Sequence, residues 1–218
     1  MDAKEIYELL AQEIGEGALG FDDEGFQPTA NIAPASINKA CQFLRSDERC
    51  DFNQLMCLSG VDWDGYDENG KGKSVKILGY TELGEPETSD HVSEGDLAVN
   101  YDFFSHRLKH KFHLHVRVPR EAASVPTISD IWETANWHER EAWDMVGITF
   151  EGHPDLRRML LDDTWVGHPL RKDYQMPTEW ESVPLKGQDY AKNPFPETPP
   201  RLVPVKPAPS VDDKPAEG

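Results

Sequence analysis

The stretches LAVNYDFF (97–104) and KFHLHVRV (111–118), joined by SHRLKH (105–110), decide the fold. In the first, Leu97, Val99, Tyr101 and Phe103 alternate with Ala98, Asn100, Asp102 and Phe104. In the second, Phe112, Leu114, Val116 and Val118 alternate with Lys111, His113, His115 and Arg117. A period of two places one set on a buried face and the other on a wetter one, so the pair predicts an antiparallel hairpin.

Working outward, Leu55 to Trp63 is apolar enough for a buried strand, and Ser74–Leu83 is a weaker strand set off by the turn signal ENGKGK at 68–73. Further upstream, Ile6, Leu9, Leu10 and Ile14 fall at helical spacing over residues 3–14. A loop rich in Gly and Asp follows, then a second helix from Pro34 to Arg45 with Ile37, Cys41 and Leu44 on one face. Downstream, Pro126 ends the sheet section. Asn136-x-x-Glu139 reads as a variant capping box opening a helix that Gly147 stops. Ile148–Phe150 reads as extended, and Pro154 as the start of one more helical turn, DLRRMLL. The order predicts an α+β fold: a mixed or antiparallel sheet of four to five strands with helices on one face.

Two stretches read differently. Residues 81–96, TELGEPETSDHVSEGD, hold six acidic residues and no basic one, and are expected to form an exposed loop. From Pro177 the chain carries ten of its 17 prolines, which neither continue a helix nor donate to a central sheet. The expected organisation is a domain over residues 1–176 and an extended Pro-rich C-terminal arm over 177–218.

The net charge of −18 is uneven, −14 over residues 1–100 and −4 over 101–218. Such a chain repels phosphate backbones, which argues against nucleic acid as a partner. Cys41, Cys50 and Cys57 are odd in number and lack CxxC spacing, which argues against disulfides and iron–sulfur ligation. MDAKEIYELL has no signal-peptide pattern, and no apolar run approaches the ~20 residues that span a bilayer. These features predict a chain that does not insert into lipid.

Familiar chemistry is hard to find. His106, His110, His113 and His115 crowd together, and His113 and His115 share a strand face, but no Cys or carboxylate stands at matching zinc spacing. The polar face of a strand is the plainer reading. DWDGYDE (62–68) fails the EF-hand pattern, having Tyr66 and Asp67 where an oxygen ligand and Gly are required. His138-Glu139 shares only its first two letters with HExxH, and Ala142 stands where the second His belongs. No G-x-S-x-G elbow, G-x-G-x-x-G or P-loop is present. The expected catalytic, cofactor and metal residues are therefore none.

One segment does stand out. From Trp132 to Tyr174 lie Trp132, Trp137, Trp143 and Trp165, the acids Glu139, Glu141 and Asp144, the bases Arg140, Arg157, Arg158, Arg171 and Lys172, and two Gly-His-Pro turns at 152–154 and 167–169. On a helix Trp137, Glu141 and Asp144 share a face. An acid there needs an Arg from the following segments, because burying it unpaired is costly. The alternatives are an internal ion-pair network and a protein contact anchored by Trp and Arg.

Glu139-Arg140-Glu141, Asp144-Met145-Val146, His153 and Arg157 resemble the signature of the C-subunit, or 30 kDa subunit, family of proton-pumping NADH:quinone oxidoreductase, respiratory complex I. The similarity is strongest over 127–174 and extends, more loosely, to LMCLSGVDW and FHLHVRVP. The resemblance implies a peripheral subunit of the hydrophilic arm, on the cytoplasmic side of a bacterial inner membrane, with subunits D and B as neighbours. It implies that FMN, iron–sulfur clusters and quinone are bound by other subunits. Carried over residue by residue, Glu139, Arg140, Glu141, Asp144, His153, Arg157 and Arg171 are then structural or interface residues. The competing readings are the corresponding domain of a membrane-bound hydrogenase-type complex and, remotely, a free-standing metal hydrolase using the histidine cluster. Residues 64–96 are longer and more acidic than the family pattern, which suggests an inserted strand and an exposed loop.

Overall fold

A computed structural model describes residues 1–23, 27–63, 77–80, 86–88, 95–177 and 179–185. In chain order they form α1 (Ala3–Ile14), β1 (Ala18–Asp22), β2 (Thr29–Ile32), α2 (Ile37–Ser46), β3 (Gln54–Asp62), β4 (Ile77–Tyr80), β5 (Pro86–Thr88), β6 (Leu97–Phe104), β7 (Lys111–Val118), β8 (Ser124–Pro126), α3 (Glu133–Val146), β9 (Thr149–Glu151), β10 (Glu179–Trp180) and β11 (Val183–Pro184). The chain divides into two units, Met1–Met176 and Pro177–Gly218.

The hairpin is the centre of the first unit. β6 and β7 pair antiparallel in the register Leu97↔Val118, Val99↔Val116, Tyr101↔Leu114 and Phe103↔Phe112, and all eight side chains are buried. β3 adds along β6, and the sheet order is β1-β2-β7-β6-β3. β2 runs parallel to β7, which makes the sheet mixed. The fold is α+β with a five-stranded sheet, as the alternation of residues predicts.

The helices complete one core over the apolar face. α1 begins with a capping box: the Asp2 carboxylate accepts from the Glu5 amide at 2.8 Å, and Glu5 accepts from the Asp2 amide at 3.0 Å. It buries Ile6 and Leu10, while α2 buries Ile37, Ala40, Cys41 and Leu44. Each large aliphatic side chain buried this way contributes about 1.5–3 kcal/mol. α3 crosses β3 at Gly60, where an added Cβ would stand 3.1 Å from the Ala142 Cβ. The glycine lets helix and strand approach closely.

Several expectations need correction. The Gly/Asp-rich stretch after α1 is not all loop, because it contains β1 and β2, short strands that pair with each other and join the sheet where β2 pairs with distant β7. Within the acidic 81–96 segment, Pro86–Thr88 is a strand paired antiparallel with β4 in a separate ribbon. ENGKGK and the rest of 81–94 lie outside the described residues. Pro126 ends β8, which pairs in parallel with β9 rather than with the main sheet. In the second unit β10 and β11 form a minimal hairpin. Glu181 and Ser182 at its tip take φ of 47° and 67°, the type I′ arrangement that suits strand twist. Residues 186–218, most of the predicted Pro-rich arm, lie outside the described residues.

Candidate functional site

α3 starts at Glu133, three residues before Asn136, and its N-cap Trp132 makes no side-chain capping bond. The predicted Asn136/Glu139 capping box is therefore absent. Both residues lie inside the helix, and Glu139 turns into the core. Fully buried, its carboxylate accepts from the Ile128 amide at 2.8 Å and the Thr127 hydroxyl at 2.5 Å, pinning the loop before the helix. Burial pushes its pKa up to about 7, the Ile128 and Thr127 bonds pull it partly back, and the charge of Asp130 adds to the rise.

His153, with a fully buried side chain, stands 3.8 Å from the same carboxylate. Its Nδ1 accepts from the Asp155 amide at 3.0 Å, so Nε2 carries the proton and donates to the Asn136 carbonyl at 3.2 Å.

The other end of α3 is organised by Asp144, also fully buried. Its Oδ2 accepts from three successive amides, Met159 at 3.0 Å, Leu160 at 2.8 Å and Leu161 at 3.1 Å, and its Oδ1 from Arg158 Nη1 at 2.7 Å. Burial alone raises this carboxyl, but the three amides and the guanidinium outweigh it and lower the pKa. Those amides are what a helical turn would use, so DLRRMLL forms turns and bends around the carboxylate instead of the predicted helix.

The helix end is closed from the same side. Gly147, at φ 81°, donates to the Ala142 and Trp143 carbonyls as the predicted C′ residue. His168 Nδ1 donates to the Asp144 carbonyl at 2.9 Å, and the Leu170 amide to the Met145 carbonyl at 3.0 Å. The two Gly-His-Pro turns thus do parallel work. In each, a glycine at positive φ (Gly152 at 80°, Gly167 at 84°) precedes a histidine that donates to an α3 carbonyl.

The remaining predicted residues are distributed unevenly. Arg140 is 5% exposed, lies 5.2 Å from the Trp137 ring centroid, and donates to the Arg157 and Arg158 carbonyls at 3.3 and 3.4 Å. Glu141 is exposed and stands apart from the Asp144 network, so the shared face predicted for Trp137, Glu141 and Asp144 is not a buried one. Arg157 is exposed and pairs with Asp155 at 2.9 Å. Arg171 reaches the Arg120 carbonyl at 3.5 Å.

Sequence reasoning offered Arg158 only as one of several bases that an acid of the helix could use and did not carry it over as a site residue, although Arg158 holds Asp144. It also missed Asp62 and Arg120, which pair where β3 ends. Arg120 reaches Asp173 as well, at 3.3 Å, and Asp62 accepts from the Lys172 amide at 2.9 Å. The signal for Asp62 was present in DWDGYDE, but nothing local distinguishes a buried partner from a solvated turn.

The histidine cluster is dispersed. His106 meets Gln54 at 2.7 Å, His110 the Cys50 carbonyl at 2.7 Å, His113 Asp102 at 2.5 Å, and His115 Asn100 at 2.6 Å. Burial, then the charge of Arg117, lowers the His115 pKa to about 4. Among the described residues no three His, Cys, Asp or Glu side chains converge as a metal site requires. Cys41, Cys50 and Cys57 are free thiols. Among these residues no helix is long and apolar enough to cross a membrane.

Comparison with known proteins agrees with the motif. The family described as respiratory-chain NADH dehydrogenase, 30 Kd subunit, matches residues 30–180. The C subunit of NADH-quinone oxidoreductase from Chloroherpeton thalassium is 34% identical over 81% of this chain, an alignment spanning 62% of that relative's length. Its counterpart from Chlorobium phaeobacteroides is 31% identical over 81% of this chain and 91% of its own. A chain of the membrane-bound sulfane sulfur reductase, an archaeal respiratory membrane complex, shares the fold at a TM-score of 0.51 and 18% identity, covering 88% of this chain and 90% of that one. The chain belongs to the family of the 30 kDa subunit of respiratory-chain NADH dehydrogenase.

Proposed function

We propose that the chain is a non-catalytic structural and assembly subunit of the hydrophilic arm of a proton-translocating NADH:quinone oxidoreductase. It supports electron transfer from NADH to quinone through FMN and iron–sulfur clusters bound by other subunits. Subunits D and B are its neighbours, and it sits peripherally on the cytoplasmic side of a bacterial inner membrane. The observation that carries this reading is where the groups on and around α3 point. Glu139, Asp144 and His153 direct their acceptors and donors at the chain's own backbone and are buried, with no face left to touch a substrate. The names of the relatives support the assembly. The hydrogenase-type alternative has only a fold-level likeness to another respiratory complex behind it.

The test is the composition of the purified chain. An absorption spectrum without flavin or iron–sulfur bands, together with elemental analysis showing less than stoichiometric zinc and iron, is the expected result. One metal or flavin per chain that survives chelation and gel filtration overturns the scaffold-only reading.

A further inference from the structure

Two arginines are drawn inward around α3, and they are satisfied very differently. Arg158 has four contacts: Asp144 Oδ1 at 2.7 Å and the carbonyls of Trp165 and Gly167 at 3.1 Å and of Asp144 at 3.4 Å. Arg140, in the middle of the helix, has two carbonyls at 3.3 and 3.4 Å, beyond the usual 2.7–3.2 Å range of strong N–H···O bonds. Among the described residues it meets no carboxylate. A buried guanidinium with five donors and no carboxylate in hydrogen-bonding reach among the described residues is an expensive arrangement for a chain of net charge −18 to retain for packing alone.

Arg140 also lines an open groove of about 410 Å³ between α3 and the 153–157 turn. Over it lies Trp137, which is 61% exposed. The other charges of the groove offset Arg140 only in part: Asp155 is near enough for the charge of Arg140 to help lower its pKa, after the larger effect of Arg157. Asp155 is taken by Arg157 at 2.9 Å, and Glu133, seven residues before Arg140, sits about 10 Å away along the helix axis. An exposed Trp over a desolvated Arg is the residue pair that anchors protein contacts.

We propose that this groove receives a carboxylate side chain from a segment of another subunit, bound by Arg140 and covered by the Trp137 ring. The inference rests on the scaffold reading and names the chemistry of one contact. A peptide carboxylate fits better than a phosphate, because the single charge of Arg140 matches a monoanion and the exposed Trp137 offers apolar area to the flanking backbone.

The test uses the full-length ¹⁵N-labelled chain, with the Trp137 indole resonance assigned by Trp137→Phe. It is titrated with acetyl-Ala-Glu-Ala-Glu-Ala-amide and, separately, with the Gln-for-Glu peptide. The expected result is a saturable Trp137 shift with the acidic peptide, at least roughly tenfold weaker with the neutral one, and lost in Arg140→Gln. Because Arg140→Gln also releases two carbonyls and can disturb folding, Trp137→Ala is measured in parallel by the response of the Arg140 guanidinium resonance, and is expected to weaken binding severalfold. Equal responses to both peptides, or no response to either, overturn the proposal. So does a response that appears only after residues 81–94 are excised, which identifies the chain's own acidic segment as the occupant. None of these outcomes bears on whether the chain carries a cofactor, so the scaffold reading stands or falls separately.

Discussion

Replacing Asp144 with Ala removes the acceptor of four donors at once: the Met159, Leu160 and Leu161 amides and Arg158 Nη1. Breaking a buried ion pair costs about 3–5 kcal/mol, since the surviving charge stays desolvated. Two features place the loss in the middle of that range. Arg158 keeps the Trp165 and Gly167 carbonyls, and Leu160 is exposed enough for water to reach its amide. A loss of about 4 kcal/mol is a large share of a typical stability of ~5–15 kcal/mol. With an m-value of about 2 kcal/mol/M, the urea midpoint of the purified chain drops by about 2 M. The assay is equilibrium urea unfolding followed by tryptophan fluorescence. Glu141→Ala, one turn earlier on the same helix but exposed, serves as the control and shifts stability by no more than ~0.5 kcal/mol. A loss under about 1 kcal/mol for Asp144→Ala, or one no larger than the control's, would refute the reasoning.

Three further outcomes are expected. Glu139 has its pKa raised to about 7 from an ordinary 4.5, so the native state holds the proton longer than the unfolded chain. Its contribution is intact below about pH 4.5 and falls by roughly 3 kcal/mol as pH rises to 7. Unfolding titrations of wild type against Glu139→Gln show this as a difference that grows over that window and is flat above it. Gly147→Ala places a Cβ 2.5 Å from the His168 ring at φ 81°, and lowers stability by more than the ~1–2 kcal/mol of the left-handed conformation alone, read by the same urea assay. Arg120→Met removes the guanidinium from buried Asp62 and from Asp173, and limited proteolysis shows faster cleavage near residues 171–174 than in wild type.

The parts of the fold legible in the sequence are those where local pattern and tertiary burial agree. The β6–β7 alternation, the α1 and α2 stripes and the Gly147 stop each follow from residues within one or two turns. What escaped depends on partners far along the chain. β1 and β2 are too short to announce themselves, and β2 exists through its parallel register with β7, more than 80 positions away. Asn136 and Glu139 have capping-box spacing, yet Glu139 answers to Thr127 and Ile128, which only the loop's return brings close. The 155–161 segment has helical composition, and its amides are diverted by Asp144. At the site, the need of a Trp-flanked acid for an arginine was readable, whereas its identity as Arg158, rather than Arg157 or Arg171, was not. That choice is fixed by the turn after His153, which faces Arg158 inward and Arg157 outward.

The central claim is that these buried charges hold a scaffold together and do no chemistry. Its most direct test is NADH:quinone activity divided by assembled complex, the latter quantified on native gels from membranes carrying Asp144→Ala or Glu139→Gln. The account predicts less assembled Asp144→Ala complex, with near-normal turnover in each complex that forms. A roughly tenfold fall in turnover per complex, equivalent to about 1.4 kcal/mol of barrier, with assembly unchanged, would contradict it.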